Sequence, residues 1–152
     1  YDATTQVTYV YETTATIPAE LSPEGFVTSQ STVDAATTDA PVQLSTDLKT
    51  PIPTQGSTSH TIPLTVTNAG DGTINSQVQL TGRVVDSGGS ISLSGCDTAV
   101  SVDEEADVTC TLETPQNGVS VDTTAEIRIT ARYEYREETS TTVTVRGVQG
   151  AG

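Results

Sequence analysis

The sequence predicts an all-β protein whose antiparallel strands pack as a sandwich. Three observations carry that reading. Long stretches alternate apolar and polar residues with a period of two, which gives a strand one buried face and one wet face. Breaks rich in Gly, Pro, Asn and Asp recur at roughly ten-residue intervals, as expected between short strands. No stretch holds the apolar period of an amphipathic helix. A chain of 152 residues suits one domain with a real core.

The alternation is strongest from Ala125 to Val145. Ile127, Ile129, Ala131, Tyr133 and Tyr135 point one way, and Arg128, Thr130, Arg132, Glu134 and Arg136 the other. Glu137 to Ser140 is polar, and Val143 and Val145 resume the pattern, so the stretch is expected to form a closing hairpin. A related pattern opens the chain. From Thr4 to Ile17, Val7, Tyr9, Tyr11, Ala15 and Ile17 fall in phase, and Pro18, Pro23 and Gly25 then interrupt it. Phe26–Val33 is a weak strand and Pro41–Leu44 a short one. Lys49–Gly56, with Pro51 and Pro53, reads as an extended connection.

Ser57–Asn68 is a clear strand with Ile62, Leu64 and Val66 inward. Pro63 falls on the outward phase. It has no N–H to donate, so this strand lies at an edge or carries an unpaired position there. Asn68-Ala69-Gly70-Asp71-Gly72 is the strongest turn signal. Thr73–Asp86 is expected as the return strand, with Ile74, Val78, Leu80 and Val84 inward and Gly82 at a bulge. Ser87-Gly88-Gly89 turns into Ser90–Ser94, and Val100–Asp107 reads as an acidic turn before the strand that holds Cys110. The sum is about eight or nine strands. The spacing predicts an antiparallel immunoglobulin-like β-sandwich, with a barrel as the second choice. Residues 1–148 make one domain and 149–152 a flexible tail.

Composition narrows the functions. Aromatic residues are 4% and Trp and Met are absent, so the core must come from Val, Ile, Leu and Ala. Net charge is −14, from 20 acidic against 6 basic residues. That argues against nucleic acid, whose phosphates need Lys and Arg, and against anionic membrane surfaces. It fits solubility at high salt or weak binding of divalent cations. A single lysine, Lys49, among so many carboxylates leans toward a salt-loving or extracellular source. Two cysteines, Cys96 and Cys110, lack the clustered company of a zinc site. A disulfide is the favoured reading and two buried thiols the alternative; an oxidised pair implies export. No signal peptide or membrane span is expected in these residues, and the start at Tyr1 is expected of a processed mature protein or an expressed segment.

Several of these stretches occur together in a recognisable order: Tyr9-Val10-Tyr11-Glu12-Thr13-Thr14-Ala15, Ala40-Pro41-Val42, Leu64-Thr65-Val66-Thr67-Asn68-Ala69-Gly70-Asp71-Gly72, Cys96 with Cys110, and Tyr133-Glu134-Tyr135. The order resembles that of secreted archaeal surface proteins with immunoglobulin-like (CARDB-like) sandwich domains. The resemblance spans most of the chain and rests on structural motifs. Such proteins often carry further cysteines near the opening strand, where Thr and Ile stand here, so a second bridge is absent. It implies a place on the cell surface, in an adhesive, layer-associated or filament-forming role, and names no ligand.

The candidate sites are few. Asp103, Glu104, Glu105 and Asp107 are the densest carboxylates, but a catalytic pair needs a pocket that separates two pKa values. A solvated loop is the expectation, with weak metal binding as the alternative. Asp71 lacks the ligand ladder of a calcium loop. His60, the single histidine, is placed on the outward side of its strand with no second ligand. No nucleophile elbow or phosphate loop occurs, and no Asn-x-Ser/Thr acceptor. The chain is therefore read as a non-enzyme without cofactors; O-linked glycans remain open.

Two features suggest self-association. Arg128, Arg132 and Arg136 put three of the five arginines on one strand face, either paired with carboxylates of the same domain or presented to an acidic patch on another copy. The first strand, residues 1–17, either pairs within its own domain or inserts Val7, Tyr9, Tyr11, Ala15 and Ile17 into a neighbour. Strand addition of that kind, repeated head to tail, builds a filament. The expectation is a structural subunit of an extracellular archaeal surface assembly, a homopolymer such as a filament or pilus. The alternatives are an adhesion or carbohydrate-binding module, or an archaeal virus capsid or spike protein.

Overall fold

The computed structural model describes the backbone of residues 2–85 and 90–142, and side chains for 5–85 and 90–138. It is all-β and two-layered, with antiparallel pairing except at one short parallel contact. One sheet has the order β11-β9-β13-β1-β3 and the other β10-β12-β7-β4. The strands of the first are β1 (Asp2–Ser22), β3 (Ala36–Thr37), β9 (Val78–Val85), β11 (Thr98–Val100) and β13 (Thr123–Thr142); β6 (Ile52–Pro53) joins β1 and β8 (Thr73–Ile74) joins β13. Those of the second are β4 (Val42–Ser45), β7 (Ser59–Asn68), β10 (Ser92–Ser94) and β12 (Glu105–Glu113). β2 (Ser31–Thr32) and β5 (Lys49–Thr50) form a two-stranded sheet of their own.

The inward residues of both sheets meet in a single core. β1 gives Ala15, Ile17, Ala19 and Leu21; β13 gives Ala125 to Tyr135 at every second position; β7 gives Ile62, Leu64 and Val66, and β12 gives Val108, Cys110 and Leu112. All these are buried, as the alternation predicts. Apolar burial of this extent is the main force holding the layers together.

The first and last strands form the backbone of the molecule. β1 and β13 pair antiparallel from Asp2↔Thr142 to Leu21↔Thr123 with no slip or bulge. The closing hairpin expected within Ala125–Val145 does not form: β13 runs unbroken through Glu137–Ser140 to Thr142. A polar stretch reads as a turn only if one face of the strand is buried, and here the strand has left the body. Val143 and Val145 lie outside the described residues, as do the Ser87-Gly88-Gly89 turn and the 149–152 tail. β1 likewise continues past Ile17, through Pro18, to Ser22. Pro18 is tolerated because its nitrogen faces away from β13, between the short partners β3 and β6.

Other expectations shift. The Asn68–Gly72 turn does not fold Thr73–Asp86 back onto β7. It carries the chain to the other sheet, where β8 and β9 pair with β13. Alternation reports which face is buried and is silent on which sheet a strand joins. Gly82 is not at a bulge, since the β9–β13 register is regular on both sides of it. It is on the inward phase, where a Cβ would lie 2.7 Å from Cys96 Cβ and 2.9 Å from both Ile129 Cδ1 and Leu93 Cδ2. The acidic turn Val100–Asp107 is shorter than expected, because Val100 ends β11 and Glu105 already belongs to β12. Phe26–Val33 yields only β2, and the Lys49–Gly56 connection holds β5 and β6. Pro63 meets the second of its two expectations. β4 stops at Ser45↔Thr65, and Thr46 Oγ1 donates to the Pro63 carbonyl beyond that point.

Cys96 and Cys110 form a disulfide with a Cα–Cα distance of 5.0 Å. It ties the crossing between β10 and β11 to β12, and both residues are buried.

Candidate functional site

Only part of the β1–β13 pair lies over the sandwich. β9 covers β13 from Glu126 to Arg132, and β8 reaches Tyr135–Arg136. On its other edge β1 meets β3 at Ala15–Thr16 and β6 at Leu21–Ser22. Asp2–Val10 and Glu134–Thr142 therefore extend past β9 as a ribbon that β8 flanks at Tyr135–Arg136 and that is two-stranded over Asp2–Val7 and Glu137–Thr142. Nine residues of strand extend about 30 Å.

The inward phase of β1 continues onto this ribbon, but no second sheet faces it there. Val7 and Tyr9 keep the core phase yet are 36% and 49% exposed, while Val10 on the opposite face is 61% exposed. Of the five residues expected to insert into a neighbour, Ala15 and Ile17 are instead fully buried in their own core. Tyr11 is half-buried where ribbon meets body. The strand is thus paired within its own chain along its whole described length, and its apolar overhang is confined to the ribbon.

Four tyrosines anchor the ribbon. Tyr9 lies opposite Tyr135 and Tyr11 opposite Tyr133. Tyr11 stacks on Tyr133, with centroids 6.0 Å apart, and meets Tyr135 and Tyr9 edge-on at 6.1 and 6.0 Å. Such pairs add to area burial. The two buried rings are also held at their hydroxyls. Tyr133 Oη bonds Thr13 Oγ1 at 2.9 Å and accepts from Val42 N–H at 3.0 Å, while Thr13 Oγ1 donates to the Val42 carbonyl at 2.8 Å. This network joins β1 and β13 to β4 of the opposite sheet. Tyr135 Oη accepts from Gly72 N–H at 2.7 Å and donates to Asn68 Oδ1 at 3.0 Å. Asn68 also binds the Gly72 carbonyl through Nδ2 at 3.1 Å. Gly70 and Gly72 leave room for the Tyr135 ring, which any side chain there would strike. Burial pushes the Tyr135 phenol above its ordinary value; the Gly72 N–H opposes that shift, and Glu137 and Asp71 add to it. The sequence shows these tyrosines as strand residues, but their role as turn anchors needs the three-dimensional meeting of Tyr135 with a turn 63 residues away.

The outer face of the same sheet carries Arg128, Arg132 and Arg136, as the phase predicts. Arg83 of β9 joins them, directly opposite Arg128; its place was legible only once β9 was known to pair with β13. Glu12 lies opposite Arg132. Among the described residues the only ion pair is Arg128 with Glu126, at 3.6 Å.

The acidic group does not converge. Asp103 and Glu104 precede β12, whereas Glu105 and Asp107 lie on its outer face, where Asp107 Oδ1 accepts from Thr65 Oγ1 at 3.1 Å. No cluster of three or more potential metal ligands occurs among the described residues. His60 is on the inward phase, not the outward one, two residues from buried Ile62. It is half-buried near the end of the sandwich and bonds Thr114 Oγ1 at 3.0 Å. Burial lowers its pKa, against an opposing pull from Glu113. Among the described residues no helix is long and apolar enough to cross a membrane. The disulfide is compatible with an exported protein. No family model, curated protein or solved structure matches the chain.

Proposed function

We propose that this domain is a non-enzymatic structural subunit of an extracellular surface assembly, a filament or pilus whose copies join by strand addition at the projecting ribbon. One observation carries the reading: an apolar two-stranded overhang with an open edge. Thr14 and Ser22 direct backbone groups away from β13, to Thr38 and Thr54. By the same alternation Gln6, Thr8, Val10 and Glu12 direct theirs to that side, where no strand is paired among the described residues. An edge with unpaired N–H and C=O groups and exposed Val7, Tyr9 and Val10 is a template for another strand. The buried disulfide and the resemblance to immunoglobulin-like archaeal surface proteins support the extracellular setting.

The test is a short deletion. Thr13, Ala15 and Ile17 belong to the core, so only residues 1–9 are removed. Light scattering and electron microscopy should show large assemblies for the full chain and monomers for the shortened one, with similar melting temperatures. Assemblies that survive the deletion would sink the strand-addition reading.

An adhesion or glycan-binding module is the second reading. It is favoured by a surface depression at the ribbon's base, lined by Tyr11, Asp39, Pro41, Gln43 and Gly70, which offers an aromatic ring beside polar groups. A chain that stays monomeric and binds glycans through Tyr9 and Tyr11 would move that reading ahead.

A further inference from the structure

We infer that the outer faces of the two sheets are complementary docking surfaces, so that the arginine face of one copy receives the acidic face of the next. This rests on the assembly reading and assigns it a second contact, separate from the ribbon.

Charge is distributed unevenly between the faces. Arg83, Arg128, Arg132 and Arg136 lie on the outer face of the larger sheet, clustered at its centre among Glu12, Glu20, Glu126, Glu134 and Glu138. The outer face of the smaller sheet presents Glu105, Asp107 and Glu113, and no Lys or Arg occurs in β4, β7, β10 or β12. On a chain of net charge −14 with six basic residues, this face gathers four of them.

Spacing agrees with charge. Arg128 and Arg136 are eight positions apart on β13, and Glu105 and Glu113 are eight positions apart on β12. Both rows are therefore about 26 Å long. The surroundings are short Ser and Thr side chains on β7 and β12, which let two flat faces approach. Arg83 and Arg128 stand directly opposite each other, and like charges so placed repel. Between them lies a dent of about 80 Å³ lined by Thr81, Gly82, Arg83, Arg128 and Thr130. A carboxylate from a second copy seated there relieves the repulsion and gains charge-assisted hydrogen bonds. Because the two surfaces differ and lie on opposite sides of the sandwich, the contact is heterologous and propagates instead of closing.

The experiment compares the full chain with two double variants, Arg83→Glu with Arg128→Glu, and Glu105→Arg with Asp107→Arg. All four positions are at the surface, and melting curves verify folding. The milder pair Arg128→Gln and Asp107→Asn serves if a reversal fails to fold. Sedimentation at low salt should show each reversed variant alone associating at least about tenfold more weakly, and an equimolar mixture of the two regaining association. Added salt should weaken the wild-type contact. Wild-type-like association of both variants, or a mixture that regains nothing, overturns the inference. The ribbon deletion separates the two contacts. If it abolishes assembly while the charge variants assemble normally, strand addition stands and the face-to-face contact falls. If the deleted protein still associates and responds to the charge reversals, the face contact stands and strand addition falls.

Discussion

Tyr135 Oη fastens the only link between β7 and β8, with one bond donated to Asn68 and one accepted from Gly72. Replacing it by Phe removes the oxygen, so the half-buried Gly72 N–H loses its acceptor and Asn68 Oδ1 keeps only the longer bond from Gly70 N–H, at 3.3 Å. Tyr135→Phe should cost about 1–3 kcal/mol, read as a lower midpoint in denaturant. The raised phenol pKa has a further consequence. The unfolded chain's phenol ionises near pH 10, while the folded one stays protonated. Stability from this group is full below that pH and declines as pH rises toward the folded value. Wild-type melting should therefore fall more steeply above about pH 10 than that of the Phe variant. Gly82 is constrained for a different reason. It has an ordinary strand backbone, and its missing side chain makes space for Cys96, Leu93 and Ile129. Gly82→Ala should destabilise by about 1–3 kcal/mol through overpacking. A thermal midpoint equal to wild type would show that the core yields there.

At the scale of elements, alternation was a reliable guide to faces. It put Ile62, Leu64 and Val66 inside, the arginines outside, and Val7, Tyr9 and Tyr11 in phase with the core, because burial on one side of a pleat is a local property of sequence. Its failures share a cause. The polar run Glu137–Ser140 suggested a turn, yet it belongs to a strand that continues beyond its neighbours β8 and β9. Thr73–Asp86 was expected to fold back on β7, yet β8 and β9 within it join β13, across from Tyr135 and the Asn68–Gly72 turn. His60 was placed outward although it shares the phase of Ile62; its site near the sandwich end accommodates a half-buried ring beside Thr114. The ribbon itself could not be read from sequence, because nothing in β1 or β13 marks where their neighbours stop.

At the scale of the whole molecule, the disulfide closes a loop of separation 14 and restrains the one crossing that enters the larger sheet at β11. By the chain-entropy estimate it contributes about 3 kcal/mol. Intact mass should be two hydrogens below the reduced value, and reduction should lower the melting temperature markedly. Two thiols reacting freely in the native protein would contradict the bond.

The partnership of β1 with β13 also orders events in time. Residues that become neighbours at Tyr11 and Tyr133 are separated by more than a hundred positions, and β9 can join the larger sheet only after β13 is in place. Non-local pairing of this kind bears a large loop-closure cost before any contact rewards it, so the domain belongs among slow folders. As the chain emerges from the ribosome, β7 and β12 can meet early, closing the smaller sheet by themselves. The larger sheet waits for its last-made strand. Through that interval β1 is an unsatisfied amphipathic strand, with Ala15, Ile17 and Leu21 bare to any partner that offers an edge.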